Sequence, residues 1–166
     1  MSKIQIRHAG IGDEKILAEI QTASWKDAFA EILSQEELER YTNVQASTEM
    51  YAHVLRNKIA NGSILYIDEN PHGMAFWGEY RVSQNENTAE LICIHSLCNN
   101  WGKGYGSLLM QHVLDEIRKA GCVSVVLWVF AENVRARRFY EKHGFVLTDK
   151  TKADFSSAEV MYTKHL

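Results

Sequence analysis

The sequence predicts an α+β domain in which helices flank a mixed central sheet, and three observations carry this expectation. Strand-like runs at residues 63–68, 73–82 and 88–97 follow one another through connections too short for helical crossovers, so they read as an antiparallel meander. Residues 123–130 form a nearly continuous apolar run, the pattern of a strand covered on both faces. Helical periodicity appears both before the meander and around that apolar run.

In order along the chain, Ile4-Gln5-Ile6-Arg7 alternates as a short strand. From Asp13, a plausible N-cap, Ile16, Leu17, Ile20, Trp25, Ala28 and Phe29 recur near helical spacing. A second helix over residues 47–61 carries Met50, Val54, Leu55 and Ile59 on one face and stops at Asn61-Gly62. The meander follows, with turns at Asn70-Pro71-His72-Gly73 and over the polar residues 83–87. A glycine-rich turn then leads into a helix over residues 106–120, with Leu109, Val113 and Ile117 on its apolar face and Gly121 as its stop. Asn133 caps another helix that ends at Gly144; residues 145–147 begin a strand, and residues 158–164 form the last one. With one proline, no repeat and no low-complexity stretch, residues 1–166 read as one domain.

Composition excludes several function classes. Apolar residues make up 46% and charged residues 23%, an ordinary globular balance. A net charge of −3 argues against general nucleic-acid binding, which needs a basic face. Cys93, Cys98 and Cys122 include no Cys-x-x-Cys pair, so no structural zinc or other metal site is expected, and a reduced, cytoplasmic setting is. Met1-Ser2-Lys3-Ile4-Gln5 has no apolar signal region, and no window approaches ~18 uninterrupted apolar residues, so neither secretion nor a membrane partner is expected.

The informative segment is Trp101-Gly102-Lys103-Gly104-Tyr105-Gly106-Ser107, between a strand and a helix. Three alternating glycines let backbone N–H groups approach an anion without Cβ obstruction, and the helix that follows aims its free amides at the same spot. A phosphate or pyrophosphate is the ligand such a loop holds; a plain strand-to-helix turn is the other reading of the loop by itself. The Gly-x-x-x-x-Gly-Lys-Ser/Thr phosphate loop is absent, and neither possible start gives the dinucleotide fingerprint Gly-x-Gly-x-x-Gly with its later acidic residue.

Both flanks of the loop add to it. The stretch Ala89-Glu90-Leu91-Ile92-Cys93-Ile94-His95-Ser96-Leu97, then Trp101–Gly106 and Leu108-Leu109, resembles the central motif of the GNAT superfamily of N-acetyltransferases, whose pattern there is Gln/Arg-x-x-Gly-x-Gly. Downstream, Asn133-x-x-Ala136-x-x-Phe139-Tyr140-x-x-x-Gly144-Phe145 is similar to a second motif of the same family, in the usual order and spacing. Ser24-Trp25-Lys26-Asp27-Ala28-Phe29 is similar to a run in small bacterial members. The resemblance implies a mostly antiparallel sheet of six to seven strands with helices on both faces, and acetyl-CoA as co-substrate with no metal. Trp101 departs from the pattern, standing where the family prefers Gln or Arg.

By the same resemblance, Gly102, Lys103, Gly104, Tyr105, Gly106 and Ser107 would cradle the cofactor's pyrophosphate. Ile94 and Ser96 would offer backbone groups to the acetyl carbonyl and the pantetheine arm, in the manner of an added strand. His95 lies between them with a side chain on the opposite face and reads as structural. Asn133 would cap its helix and contact the cofactor. Tyr140, seven residues after Asn133, stands at the family's general acid, a donor to the departing CoA thiolate. An acceptor ammonium must first lose a proton; Glu90 is the candidate base, placed by two-residue alternation on the face of Ile92, Ile94 and Ser96, with an ordered water as the alternative. Trp128 stands where ribosomal-type N-terminal acetyltransferases carry a glutamate base, which counts against that chemistry. Cys93 and Cys98 have no flanking base to activate them for an acetyl-cysteine step. Arg135, Arg137 and Arg138 read as a solvated helix face or as phosphate contacts.

The function so implied is transfer of acetyl from acetyl-CoA to a primary amine of a small-molecule acceptor, by direct attack in a ternary complex. Protein lysine or N-terminal acetylation, and a non-catalytic acyl-CoA-binding sensor, are the rivals. Trp25, Phe29 and residues 149–157 should line the acceptor pocket, and the chain should be a monomer or homodimer.

Overall fold

The computed structural model describes residues 1–80 and 87–166. The end of the expected strand 73–82 and nearly all of the polar loop 83–87 lie outside the described residues. One seven-stranded sheet runs through the molecule in the order β1-β2-β3-β4-β5-β7-β6. Its strands are β1 (Ile4–His8), β2 (Asn61–Ile67), β3 (Asn70–Glu79), β4 (Thr88–Ser96), β5 (Ser124–Phe130), β6 (Val146–Lys152) and β7 (Glu159–His165). All neighbours are antiparallel except β4 and β5, so the sheet is mixed and mostly antiparallel, as expected.

Helices cover both faces. On one face α1 (Glu14–Phe29) and α3 (Val44–Arg56) bury Leu17, Ala18, Ile20 and Tyr51 against Ile64, Met74 and Phe76. On the other, α4 (Tyr105–Lys119) lays Leu109, Val113 and Ile117 on Leu65, Ala75, Leu91, Val125 and Leu127, and α5 (Val134–Lys142) adds Tyr140. Removing that much apolar surface from water is the main force holding helices to sheet. No helix among the described residues is long and apolar enough to cross a membrane.

Several local expectations are corrected. The short helix α2 (Gln35–Tyr41) went unread because it buries no residue and so shows no apolar face. It is held by a capping box in which Ser34 and Glu37 bond each other's backbone, a signal the sequence does contain. Helix α3 starts at Val44 under an Asn43 cap and ends at Arg56, so Met50 and Ile59 are exposed and Asn61-Gly62 opens β2. The β2–β3 turn is Asp68-Glu69, both at positive φ (48° and 69°), a mirror-image two-residue hairpin; Asn70-Pro71-His72-Gly73 belongs to β3. Asp13 holds the N-cap position of α1 without a side-chain cap bond. Its carboxylate instead grips the Arg7 guanidinium at 2.8 and 2.9 Å, which keeps it below the usual carboxylate range.

Candidate active site

The site begins where two strands part. β4 and β5 pair only over Thr88–Glu90 and Ser124–Val126; beyond this, β5 is held by β7 alone and β4 by β3 alone. A cavity of about 370 Å³ fills the gap, walled by Leu91 to Ser96 on one side and by Trp128, Val129 and Phe130 on the other. It reaches the glycine loop at one end and an aromatic chamber at the other. Its size is that of a small-molecule site.

At the first end Gly104 is the residue before α4, at φ +89°, and Gly102 lies at φ +79°. A Cβ built at either would meet nothing within 4 Å, so the loop's concave side is open backbone. The first amides of α4, on Tyr105 and Gly106, have no intrahelical acceptor and line the cavity with Gly102, Gly104 and Ser107. A pyrophosphate fits such a cradle. Lys103 is different: its ammonium donates to Asn100 Oδ1 at 2.7 Å, and it is not among the lining residues. The Ser107 hydroxyl lies 3.0 Å from His143 Nε2.

Helix α5 points its N-terminus at the same region. Asn133 is buried, lines the cavity and caps the helix by accepting the Ala136 N–H at 3.2 Å. Trp101, the departure from the family pattern, acquires a structural account here. Its indole N–H donates to the Ser96 carbonyl at 3.0 Å, and the Arg135 guanidinium stacks 3.6 Å from its ring centroid. Arg135 lines the cavity, so of the two readings given to these arginines the solvated face does not describe it. Arg137 is also engaged, donating to Tyr162 Oη and the Ala131 carbonyl, each at 2.9 Å.

Midway stands Tyr140, 9% exposed and lining the cavity. The rings of Phe139 and Phe145 sit edge-on to it at 5.6 and 6.0 Å. Burial pushes its phenol above the ordinary tyrosine range, so it stays a proton donor through neutral and alkaline pH.

The far chamber is built from Trp25, Ala28 and Phe29 of α1, Trp128 and Phe130 of β5, Phe155 and Glu159. Of the expected lining residues 149–157, Asp149–Lys152 belong to β6, and Phe155 supplies the wall. The loop carrying Phe155 is fastened to α2, where the Glu37 carboxylate accepts from the Ser156 amide at 2.7 Å and from the Ser156 hydroxyl. These bonds bring the Glu37 carboxyl down to about 2. His95 lines the cavity with Nε2 accepting the Trp25 indole N–H at 3.3 Å, and burial drives its pKa down to about 4. It is therefore neutral, with the remaining ring proton on Nδ1.

Glu90 is where the sequence expectation needs correction. The β3–β4 register pairs Phe76 with Cys93 and Trp77 with Leu91, which leaves Ile92 as an extra, bulged residue. Alternation reverses there: Ala89, Leu91 and Ile94 pack toward α4, whereas Cys93 packs toward α1. Glu90 therefore lies on the face opposite Ile94, and it is not among the residues lining the cavity. Burial raises its pKa and Lys152 offsets part of the rise. The carboxylate that does line the cavity is Glu159, at the start of β7, a residue the sequence reading passed over because no motif marks it. Among the described residues no group of His, Cys, Asp or Glu is arranged to hold a metal ion.

The family model described as acetyltransferase (GNAT) family matches residues 17–145, which span the glycine loop, β5 and α5. The chain belongs to the GNAT acetyltransferase family. Among curated relatives, spermidine N(1)-acetyltransferase of Thermoplasma acidophilum is 27% identical over 152 residues, covering 92% of this chain and 94% of the relative. Among solved structures, the PaiA N-acetyltransferase of the same organism in complex with coenzyme A aligns over 99% of both chains, at 23% identity and a TM-score of 0.83. The Salmonella typhimurium protein yncA, solved with its cofactor acetyl-CoA, aligns over 98% of this chain and 94% of its own, at 19% identity and a TM-score of 0.73. At these identities the structural likeness is one of fold.

Proposed function

We propose that this acetyltransferase moves the acetyl group of acetyl-CoA onto a primary amine of a small molecule, by direct attack while both substrates occupy the cavity. One observation carries the reading: a single cavity is lined by the glycine loop, by the buried Tyr140 phenol and by a cluster of aromatic side chains. The spermidine relative and the coenzyme A and acetyl-CoA complexes of the structural neighbours support it. Acetyl-CoA supplies an acyl group already activated as a thioester.

The chain's own residues divide the remaining work. The amides of Gly102, Gly104, Tyr105 and Gly106 hold the pyrophosphate, and Asn133 and Arg135 close the opposite side. Ile94 and Ser96 present backbone on the edge of β4 that β5 has left, where pantetheine amides can pair. As the C–S bond breaks, Tyr140 Oη gives its proton to the departing sulfur; the proton lost by the attacking amine passes to an ordered water and restores the phenol. Glu90 acts one step removed, setting charge beside Lys152 and Glu159 rather than touching the acceptor. A small acceptor suits the chamber because the Phe155 loop, tied to α2 through Glu37, forms one of its walls.

The test is release of free thiol from acetyl-CoA across a panel of aliphatic diamines, amino sugars and lysine-containing peptides. Turnover with small amines and none with peptides is expected. Peptide-only turnover would move the activity to protein acetylation, and slow hydrolysis alone would mark a sensor.

A further inference from the structure

We propose that Trp101 is a positioning residue for the cofactor: its ring carries the Arg135 guanidinium beside the glycine loop, where the guanidinium's N–H groups take a phosphate of CoA. This deepens the reading that the loop holds CoA and rests on it, and the binding is measured without any acceptor.

Trp101 is anchored twice. Its main-chain N–H donates to the Cys98 carbonyl at 3.1 Å, and its indole N–H donates to the Ser96 carbonyl at 3.0 Å. Ser96 is the last residue of β4 and Gly102 follows Trp101 directly, so the ring is fastened to the strand while it stands beside the cradle. Trp101 and Ser96 both line the cavity. An indole held by its N–H cannot swing about its side-chain torsions without losing that bond, which makes its face a fixed surface.

Arg135 lies on that surface, its guanidinium carbon 3.6 Å from the ring centroid, a separation too short for a guanidinium standing on edge. Face contact occupies the π surface and leaves the N–H groups around the rim to other partners. The ion pairs among the described residues include Arg7 and Arg118 and not Arg135. Burial lowers its pKa, and the group that offsets part of this is the Tyr140 phenol, not a carboxylate. Arg135 is also the second residue of α5, whose first turn holds no acidic side chain. A cation there works against the helix dipole, whereas an anion drawn to it gains from both.

The other arginines of α5 are placed differently. Arg137 is engaged by Tyr162 Oη and the Ala131 carbonyl, and Arg138 is not among the lining residues, which leaves Arg135 to meet the ligand. A guanidinium presents paired N–H groups that match two oxygens of a phosphate. Holding it on a fixed ring removes beforehand the rotamer freedom that a long side chain otherwise gives up on binding. CoA offers two groups of this chemistry, the pyrophosphate and the 3′-phosphate.

The experiment is calorimetric titration with CoA, and with dephospho-CoA, which lacks the 3′-phosphate. It compares wild type with Trp101→Ala, Trp101→Phe, Arg135→Ala and the double variant Trp101→Ala/Arg135→Ala. Arg135→Ala should weaken CoA binding about tenfold or more, as for a lost charge-assisted bond. Trp101→Ala should lose about as much, and the double variant little more than either alone, because both substitutions remove one contact. Trp101→Phe keeps an aromatic face and should recover part of the loss. In turnover, Trp101→Ala should raise the acetyl-CoA KM and leave kcat at saturation where it was, a split that general loosening of the site would not give. A loss of equal size with dephospho-CoA puts the guanidinium on the pyrophosphate; a loss with CoA alone puts it on the 3′-phosphate. Losses that add in the double variant, Trp101→Ala binding CoA within about threefold of wild type, or Trp101→Phe binding no better than Trp101→Ala would each overturn the proposal. If Trp101→Ala does not fold, the same cycle run with Trp101→Phe decides it: Trp101→Phe/Arg135→Ala should bind no more weakly than Arg135→Ala. Wild type without CoA binding in the millimolar range would overturn the assignment of the loop itself.

Discussion

Replacing Gly104 with Asp puts a charge where the pyrophosphate is expected. The position is at φ +89°, a region L side chains enter at a cost of roughly 1–2 kcal/mol, less for Asp than for most. A Cβ there meets no atom within 4 Å, so no clash adds to that cost. At this chain length a loss of about 1 kcal/mol lowers the melting temperature by roughly 2–4 °C, and the variant should remain folded. The electrostatic effect is larger. Two unit charges about 4 Å apart repel by about 4 kcal/mol at an effective dielectric constant near 20. That is about a thousandfold in affinity, since each 1.4 kcal/mol is about tenfold. Calorimetric titration with CoA measures it directly. Gly104→Ala serves as control, carrying the same backbone penalty without the charge, and should lose far less. If folded Gly104→Asp binds CoA within about threefold of wild type, the loop is only a turn and the anion sits elsewhere.

Other consequences can be read from the same site. Tyr140→Phe should lower turnover by roughly 10²–10⁴-fold while CoA affinity holds, and a loss under about threefold would make Tyr140 a packing residue. Because burial holds that phenol above its ordinary range, the wild-type rate should not fall as pH rises to about 10, the usual tyrosine value. Arg135→Ala should weaken CoA binding about tenfold or more with turnover at saturation unchanged, as measured by separating kcat from the CoA KM. Glu37→Gln should raise the acceptor KM several-fold and spare CoA binding, because it frees the Phe155 loop; its bond to Ser156, formed by a carboxyl near 2, should persist in the wild type as pH falls to about 4. His95 has a folded value near 4, below its unfolded one, so the stability it contributes is complete above about 6.5 and is lost as pH falls toward 4; nitrogen NMR at pH about 5.5 should find it neutral.

The strongest periodic signals were the most legible. Leu109, Val113 and Ile117 sit buried where helical spacing placed them, and the expected strand 123–130 is β5 (Ser124–Phe130), buried on both faces over Val125–Leu127 and at Val129-Phe130, with Val123 outside it and exposed. What stayed hidden lacked a local signature. Helix α2 rests on capping and on a tertiary tie to Ser156. Met50 and Ile59 looked like core because apolarity marks candidates for burial and does not say which face meets the sheet. Within the site, Gly102, Gly104, Gly106 and Tyr140 line the cavity, the glycines marked by their alternation and Tyr140 by the resemblance to the family's second motif. The place of Glu159 on the cavity wall carries no local mark, since it comes from β7 pairing beside β5, with Glu159 opposite Phe130.

The bulge at Ile92 ties these observations together. In an unbroken ladder Glu90, Ile92, Ile94 and Ser96 would share a face, and Leu91, Cys93 and His95 the other. The extra residue keeps Leu91 and Ile94 on the α4 side and brings His95 to the α1 side, under the Trp25 indole. Bulges sharpen strand twist, and β4 leaves β5 directly after Glu90, at the residues that carry the irregularity. The free edge of β4 and the cavity beside it begin where that inserted residue sits.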